Sequence, residues 1–209
     1  MGLWSEQVVP RATNLLLGAE EVHRLRARTC EGLAGEVLEI GFGSGLNVEH
    51  CPPEVTRVLA VEPSDVAWRI AERKHLGGGG PPVVRVGLDG QRLALPDGSV
   101  DAALSTFTLC TIPDVGAALH EVRRVLRPGG LLHFLEHGLA PDPGVARWQR
   151  RLTPLQRRLA AGCHLDRPVA ASVEGAGLVV EDLEAFYLPG AIAVGKVLGF
   201  VYLGRAARP

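Results

Sequence analysis

The chain has no CxxC pair, no long apolar run and almost no net charge, and each absence excludes something. Its four cysteines, Cys30, Cys51, Cys110 and Cys163, lie far apart along 209 residues. That spacing argues against a zinc site or a disulfide framework and for a reducing compartment. No apolar run reaches the roughly 18 residues needed to span a bilayer. Met1 to Pro10 lacks the basic-then-apolar order of a secretory signal, so the expected location is the cytoplasm. A net charge of −1 provides no field to draw nucleic acid or an acidic membrane. With no internal repeat, residues 31–209 read as one domain behind a helical cap segment, residues 1–30.

What is present is an ordinary globular composition, 46% apolar and 22% charged, around one organising stretch, Val37-Leu38-Glu39-Ile40-Gly41-Phe42-Gly43-Ser44-Gly45-Leu46-Asn47. Val, Leu and Ile predict a buried strand. Alternate glycines then give a turn that a ligand can approach closely, and the short helix expected at Leu46–His50 offers free N–H groups at its start. The dinucleotide fingerprint GxGxxG would place a third glycine where this chain has Leu46, which counts against a nicotinamide enzyme. A second strand, Thr56–Val61, ends at Glu62-Pro63-Ser64, 21 residues beyond Gly41. A carboxylate there can accept from ribose hydroxyls. Nicotinamide enzymes place an acid at the same point, so Glu62 indicates a nucleoside without choosing which.

Further along, Ser64 caps a helix through Val66, Trp68, Ile70 and Ala71. Gly77 to Pro82 is a loop; no GK[ST] follows to make it a phosphate cradle. A third strand at Pro82–Gly87 leads to Asp89-Gly90. The turn Pro96-Asp97-Gly98 opens a fourth strand, Val100–Leu104. A helix, Val115–Leu126, closes at Arg127-Pro128-Gly129-Gly130 before a fifth strand, Leu131–Leu135, ending in Glu136-His137. An arginine-rich helix over Gly144–Ala160 carries Trp148, Leu152, Leu155 and Leu159 as its apolar stripe, and Pro154 inside it is a kink or break point. Its arginines form a face that is either solvated or touches a membrane surface; the near-neutral chain favours solvation. Two late strands, near Leu178–Tyr187 and Val197–Leu203, finish the sheet. Before the first strand, Leu15 to Leu17, Val22 and Leu25 suggest one or two helices with Arg24, Arg26 and Arg28 on a wet face.

Glu39-x-Gly41-x-Gly43-x-Gly45 after a strand resembles motif I of the class I S-adenosylmethionine (SAM) dependent methyltransferases. The block from Asp89 to Asp101 is similar to their DAxxLPFPDGSFD stretch, and RVLRPGG before an apolar strand is a common feature of theirs. The runs LEIGFGSGLN, LSTFTLCTIPD, FLEHG and AGCHLDR are more narrowly similar to bacterial relatives of the animal alkyl thiol methyltransferases. The quinone methyltransferases share the glycine loop and RPGG turn, but their YDxMN-type N-terminal signature is not found here. The resemblance implies an α/β fold: a single-domain Rossmann-like, seven-stranded, mostly parallel sheet with helices on both faces and an antiparallel late strand. It implies SAM as cofactor. Glu39, Gly41, Phe42, Gly43, Gly45 and Asn47 would surround the methionine moiety, Glu62 and Pro63 the ribose, Asp89 and Gly90 the adenine, and Thr106 and Phe107 the sulfonium. For Asp89 a turn-forming role stands beside this one.

A small-molecule acceptor is expected, a thiol or sulfide first, then a quinone, phenol or amine; a SAM-binding protein without turnover is the alternative from another class. A free thiol has a pKa of roughly 8.5, so a neutral histidine is a fitting base. His137, at a strand end beside Glu136, is the first candidate, with His164 and Cys110 behind it. Each has a structural reading too: a histidine bonded to backbone, or, for Cys110 and Cys163, a small buried hydrophobe. No metal is expected.

Overall fold

The computed structural model describes residues 20–74, 79–160, 162–188 and 193–209. Helix α1 (Glu20–Cys30) leads into β1 (Gly35–Ile40), a 3-10 turn (Val48–His50), β2 (Val55–Val61), α2 (Asp65–Lys74), β3 (Val83–Gly87), β4 (Val100–Thr106), α3 (Val115–Val125), β5 (Leu126–His137), α4 (Pro143–Leu159), α5 (Val169–Gly175), β6 (Val179–Tyr187), α6 (Ala193–Leu198) and β7 (Phe200–Ala207). The strands form one sheet in the order β3-β2-β1-β4-β5-β7-β6. Every pairing is parallel except those of β7, which runs against both β5 and β6. The chain order reverses between β1 and β4, and the crevice at the carboxyl ends of such strands is where open α/β sheets bind ligands.

The central strands β1, β2 and β4 are largely buried on both faces, and their period of two divides the core. Leu38, Ile40, Leu59 and Val61 pack with α3 and α5 on one face. Val37, Val58, Ala60, Ala102 and Leu104 pack on the other with Cys30, Leu33, Val48 and Ala71. Val22 and Leu25 of α1 reach Leu135 of β5 and Val201 and Leu203 of β7. Glu39 and Thr106 lie on the same face as Val37 and Leu104, where alternation would otherwise put apolar side chains.

The Ser64 cap falls where the sequence put it, Oγ accepting from Ala67 N at 3.2 Å, and a second cap is found at Asp114, whose Oδ1 accepts from Ala117 N at 2.9 Å. Several expectations are corrected. Arg26 is not on a wet face; it is 4% exposed. The RPGG segment is not a turn ahead of a separate strand. It is taken into β5 as a bulge, the register passing from Val100↔Leu126 to Ala102↔Leu131, with Gly129 at φ +79°. Pro154 does not split α4, which runs unbroken. The stripe expected to bury α4 points outward at Trp148, Leu155 and Leu159, while Ala146, Gln149 and Thr153 face inward. The last strand begins at Phe200, because Val197 belongs to α6. The expected helix around Leu15 to Leu17 and the start of the glycine run at Gly77 and Gly78 lie outside the described residues. No described helix is long and apolar enough to cross a membrane.

Candidate active site

β1 delivers Gly41, Gly43 and Gly45 into the crevice, all with φ between +60° and +78°. Positive φ is strained for residues with a Cβ. At Gly41 there is also no room: a Cβ would lie 2.0 Å from Thr108 Oγ1. The loop is closed by Glu62, whose Oε2 accepts from Gly43 N at 2.7 Å and whose Oε1 accepts from Ser64 N at 2.6 Å. Burial pushes its pKa up, and these two N–H donors oppose that shift. Glu62 therefore ties the glycine turn to the end of β2, and its oxygens retain lone pairs for ribose hydroxyls. Phe42 lends only backbone to this loop; its ring is buried against Trp68, centroids 5.6 Å apart.

Beneath the loop lies a buried polar network. Asn47 Nδ2 donates to Glu39 Oε1 at 2.7 Å and to Thr106 Oγ1 at 2.9 Å. Arg26 Nη1 donates to Asn47 Oδ1 at 2.8 Å and to Thr106 Oγ1 at 2.7 Å. The Asn47 and Thr106 side chains thus brace the site from below. Among the described residues, Glu39 Oε2 is one of three buried side-chain polar atoms without a partner; Arg26 Nε and His133 Nε2 are the others. Burial raises the Glu39 pKa to about 8, against the lowering by Asn47 and Arg26. An orphan carboxylate oxygen is costly, and the ammonium of an amino-acid moiety is the group that would satisfy it. The site fits SAM at this point.

The opposite wall follows β4. Glu136 is fully buried, and its carboxylate accepts from Ser105 Oγ (2.7 Å), Thr108 N (2.9 Å), Leu109 N (2.9 Å) and Cys110 N (3.2 Å). Burial raises its pKa, and these donors hold it down. Phe107 adopts φ +53°, the one described non-glycine residue at positive φ. Its ring lies 5.0 Å from His137, edge to face, and the Arg26 guanidinium sits 5.5 Å from its centroid. Near the adenine position, Gly90 is buried, and a Cβ there would come 2.8 Å from Ile40. Asp89 is exposed, and its Oδ1 accepts from Gln91 N at 2.9 Å and Gln91 Nε2 at 3.0 Å, which lowers its pKa. This is an Asx turn made by Oδ1.

Beyond Phe107 the fold joins residues that are remote in sequence. Cys110 and Cys163 have their sulfurs 3.8 Å apart, and the His137 ring nitrogen completes a group whose ligand atoms all lie within 4.8 Å of one another. The Cys110 contact lowers the Cys163 pKa, burial opposes this, and His137 lowers it further; the Cys110 thiol is pushed up and keeps its proton. His164 Nδ1 sits 3.2 Å from the Cys110 carbonyl oxygen and 3.2 Å from Arg167 Nη2. Arg167 Nη1 also donates to the carbonyls of Leu109 and Ile112.

Sequence reasoning missed Arg26, Glu136 and Arg167 as site residues. A signal existed for Arg26: Val22, Leu25 and Thr29 define the buried stripe of α1, and position 26 falls within it at helical spacing. It missed the cysteine pair because distance along the chain is not distance in space.

A crevice at a topological switch point, a GxGxG turn closed by a strand-end acid, and an orphan acid beneath it are features of the class I SAM-dependent methyltransferase family. The comparisons agree. The sequence pattern of the methyltransferase domain matches residues 38–134. Thiol S-methyltransferase TMT1B of Rattus norvegicus is 36% identical over 162 residues, 74% of this chain and 65% of that protein. Human thiol S-methyltransferase TMT1A is 31% identical over 195 residues, 90% of this chain and 75% of its own length. A SAM-dependent methyltransferase from Mesorhizobium loti superposes with a TM-score of 0.66 at 23% identity, covering 92% of this chain and all of that one. The chain belongs to the same methyltransferase family as these animal enzymes, though it matches slightly less than two thirds of the TMT1B length.

Proposed function

We propose that the protein transfers the sulfonium methyl of SAM to the sulfur of a small-molecule thiol, in the cytoplasm, where its cysteines stay free. The observation that carries the donor is the orphan Glu39 oxygen under the glycine turn. Support for the acceptor comes from the names of the animal relatives and from the sulfur and imidazole groups at the far end of the crevice.

When bound, SAM supplies a methyl on a positive sulfur that passes in line to the acceptor sulfur and leaves a neutral thioether behind. The chain's residues supply alignment, which is worth up to several kcal/mol of barrier. Glu39 holds the amino-acid end, Glu62 the ribose, and Asp89 and Gly90 the base. Phe107, fixed at positive φ between Arg26 and His137, covers the reacting centre with an apolar ring. Charge is annihilated as a thiolate meets a sulfonium, so low-dielectric walls favour the step. The remaining demand is loss of the thiol proton, a task we place at the end of the crevice formed by Cys110, His137, Cys163 and His164.

The test is methyl transfer from labelled SAM to a panel of alkyl and aryl thiols, with quinols, phenols and amines alongside. Products on thiols only are expected. Products only on oxygen, carbon or nitrogen acceptors would refute the thiol assignment, and SAM binding without any product would make the protein a SAM-binding module.

A further inference from the structure

We propose that Cys110, Cys163 and His137 form a zinc site with one open coordination position, beside Phe107 at the acceptor end of the crevice. Spacing along the sequence argued against any such site, since no two cysteines are close. The fold places two sulfurs and an imidazole nitrogen around one point instead.

The geometry is specific. Zinc–sulfur bonds of about 2.3 Å at the tetrahedral angle set two sulfurs about 3.8 Å apart, and the Cys110–Cys163 separation is 3.8 Å. A disulfide would need about 2.05 Å, and both cysteines are free. The two sulfurs make a thiol hydrogen-bond contact at this distance, and backbone ties hold the turn that carries Cys110. His164 N donates to the Cys110 carbonyl at 2.8 Å, Cys110 N is held by Glu136, and Arg167 grips the carbonyls on either side of that turn. The third ligand ends β5 and is oriented by the Phe107 ring. A site whose ligands are positioned before the ion arrives satisfies the main structural requirement for binding. Charge also balances: bound as thiolates, the two cysteines neutralise a divalent ion, leaving the flanking Glu136 and Arg167 charges to offset each other.

Three protein ligands leave one tetrahedral position to a non-protein ligand, the pattern of catalytic rather than structural zinc. Resting on the thiol reading above, that position takes the acceptor: a metal–sulfur bond forms, the thiol proton leaves to solvent, and the sulfur is held as a thiolate. His137 then acts as a ligand, and the ion does the work otherwise left to a base.

The full chain, reduced and stripped with a chelator, is titrated with Zn²⁺ against a chromophoric competitor and, separately, with Co²⁺. A single tight equivalent is expected, with sulfur-to-cobalt charge-transfer bands and the intense visible bands of tetrahedral cobalt. Cys163→Ser should weaken zinc by more than the ~10–100-fold that loss of an outer-shell partner costs. His50→Ala, which disrupts the half-buried His23–Glu49–His50 group, the other candidate cluster among the described residues, should change nothing. The cobalt spectrum of the unaltered chain needs no variant and so survives a folding defect. No retained zinc, cobalt without the charge-transfer bands, or binding lost with His50 would overturn the site. Methyl transfer to thiols at equal rates with and without zinc would overturn its role and leave the thiol reading intact. Sulfur-bound zinc in a protein that methylates no thiol would uphold the site and refute that reading.

Discussion

The role proposed for the orphan oxygen of Glu39 predicts that cofactor binding is proton-linked. With a pKa of about 8, this carboxyl carries its proton at neutral pH in the free protein. An ammonium beside Oε2 needs the ionised form, so binding expels one proton wherever the free carboxyl is protonated. Affinity for SAM should then rise by about tenfold per pH unit up to about pH 8 and level off above it. Between pH 6 and pH 8 the expected gain is roughly 50-fold. Titration calorimetry at pH 6.5 in buffers of different ionisation enthalpy should report the release of close to one proton. Glu39→Gln keeps the Asn47 contact and cannot ionise, so its affinity should be flat across this range and fall furthest below the parent at pH 8. PH-independent affinity with no proton released would refute the assignment. Stability of the free protein runs the opposite way. The folded pKa lies above the unfolded one, so the carboxyl's contribution is complete below about pH 4.3 and is lost as pH climbs towards 8.

Glu62→Ala removes both backbone ties of the glycine turn and should weaken SAM binding by about tenfold or more, read by calorimetry, with the far-ultraviolet dichroism unchanged. Gly41→Ala meets Thr108 and a positive φ together and should cost about 2 kcal/mol or more in denaturant unfolding. Arg26→Leu leaves Asn47 and Thr106 without their shared donor and should destabilise the fold by about 1–3 kcal/mol, whereas a truly solvated arginine would show no change. His137→Ala should lower kcat for thiols by at least about tenfold while SAM affinity holds; unchanged kcat over a pH series would remove it from the reaction.

The strand–helix alternation was readable because the central strands are apolar runs bounded by turn chemistry, and Pro96-Asp97-Gly98 marks a real boundary, although RPGG does not. Glu39 and Glu62 stood out in the sequence because a carboxylate beside a glycine turn has few other reasons to be there, and the structure sets Glu62 against that turn. The C-terminal boundary was not: Val197 to Leu203 is one apolar run, and apolarity alone does not separate a helical turn from a strand. The outward stripe of α4 has the same root. Trp148 and Leu155 recur at helical spacing, but Gln149 takes the inward place by bonding Ala140 N and the carbonyls of Gly138 and Val197. Arg26 was misread because a guanidinium was assumed to be wet, although its neighbours on the helix marked it as buried. Glu136 was passed over as the residue beside a histidine, since nothing local in the sequence shows that three backbone amides from another strand's loop converge on it.

That convergence bears on how the protein loads its two substrates. The acceptor side of the crevice is assembled by the chain's own carboxylate, so it exists whether or not the nucleoside half is filled. Neither substrate need wait for the other to shape its place. Initial-rate measurements should give intersecting lines and a random sequence of addition, with the demethylated product competing against SAM alone.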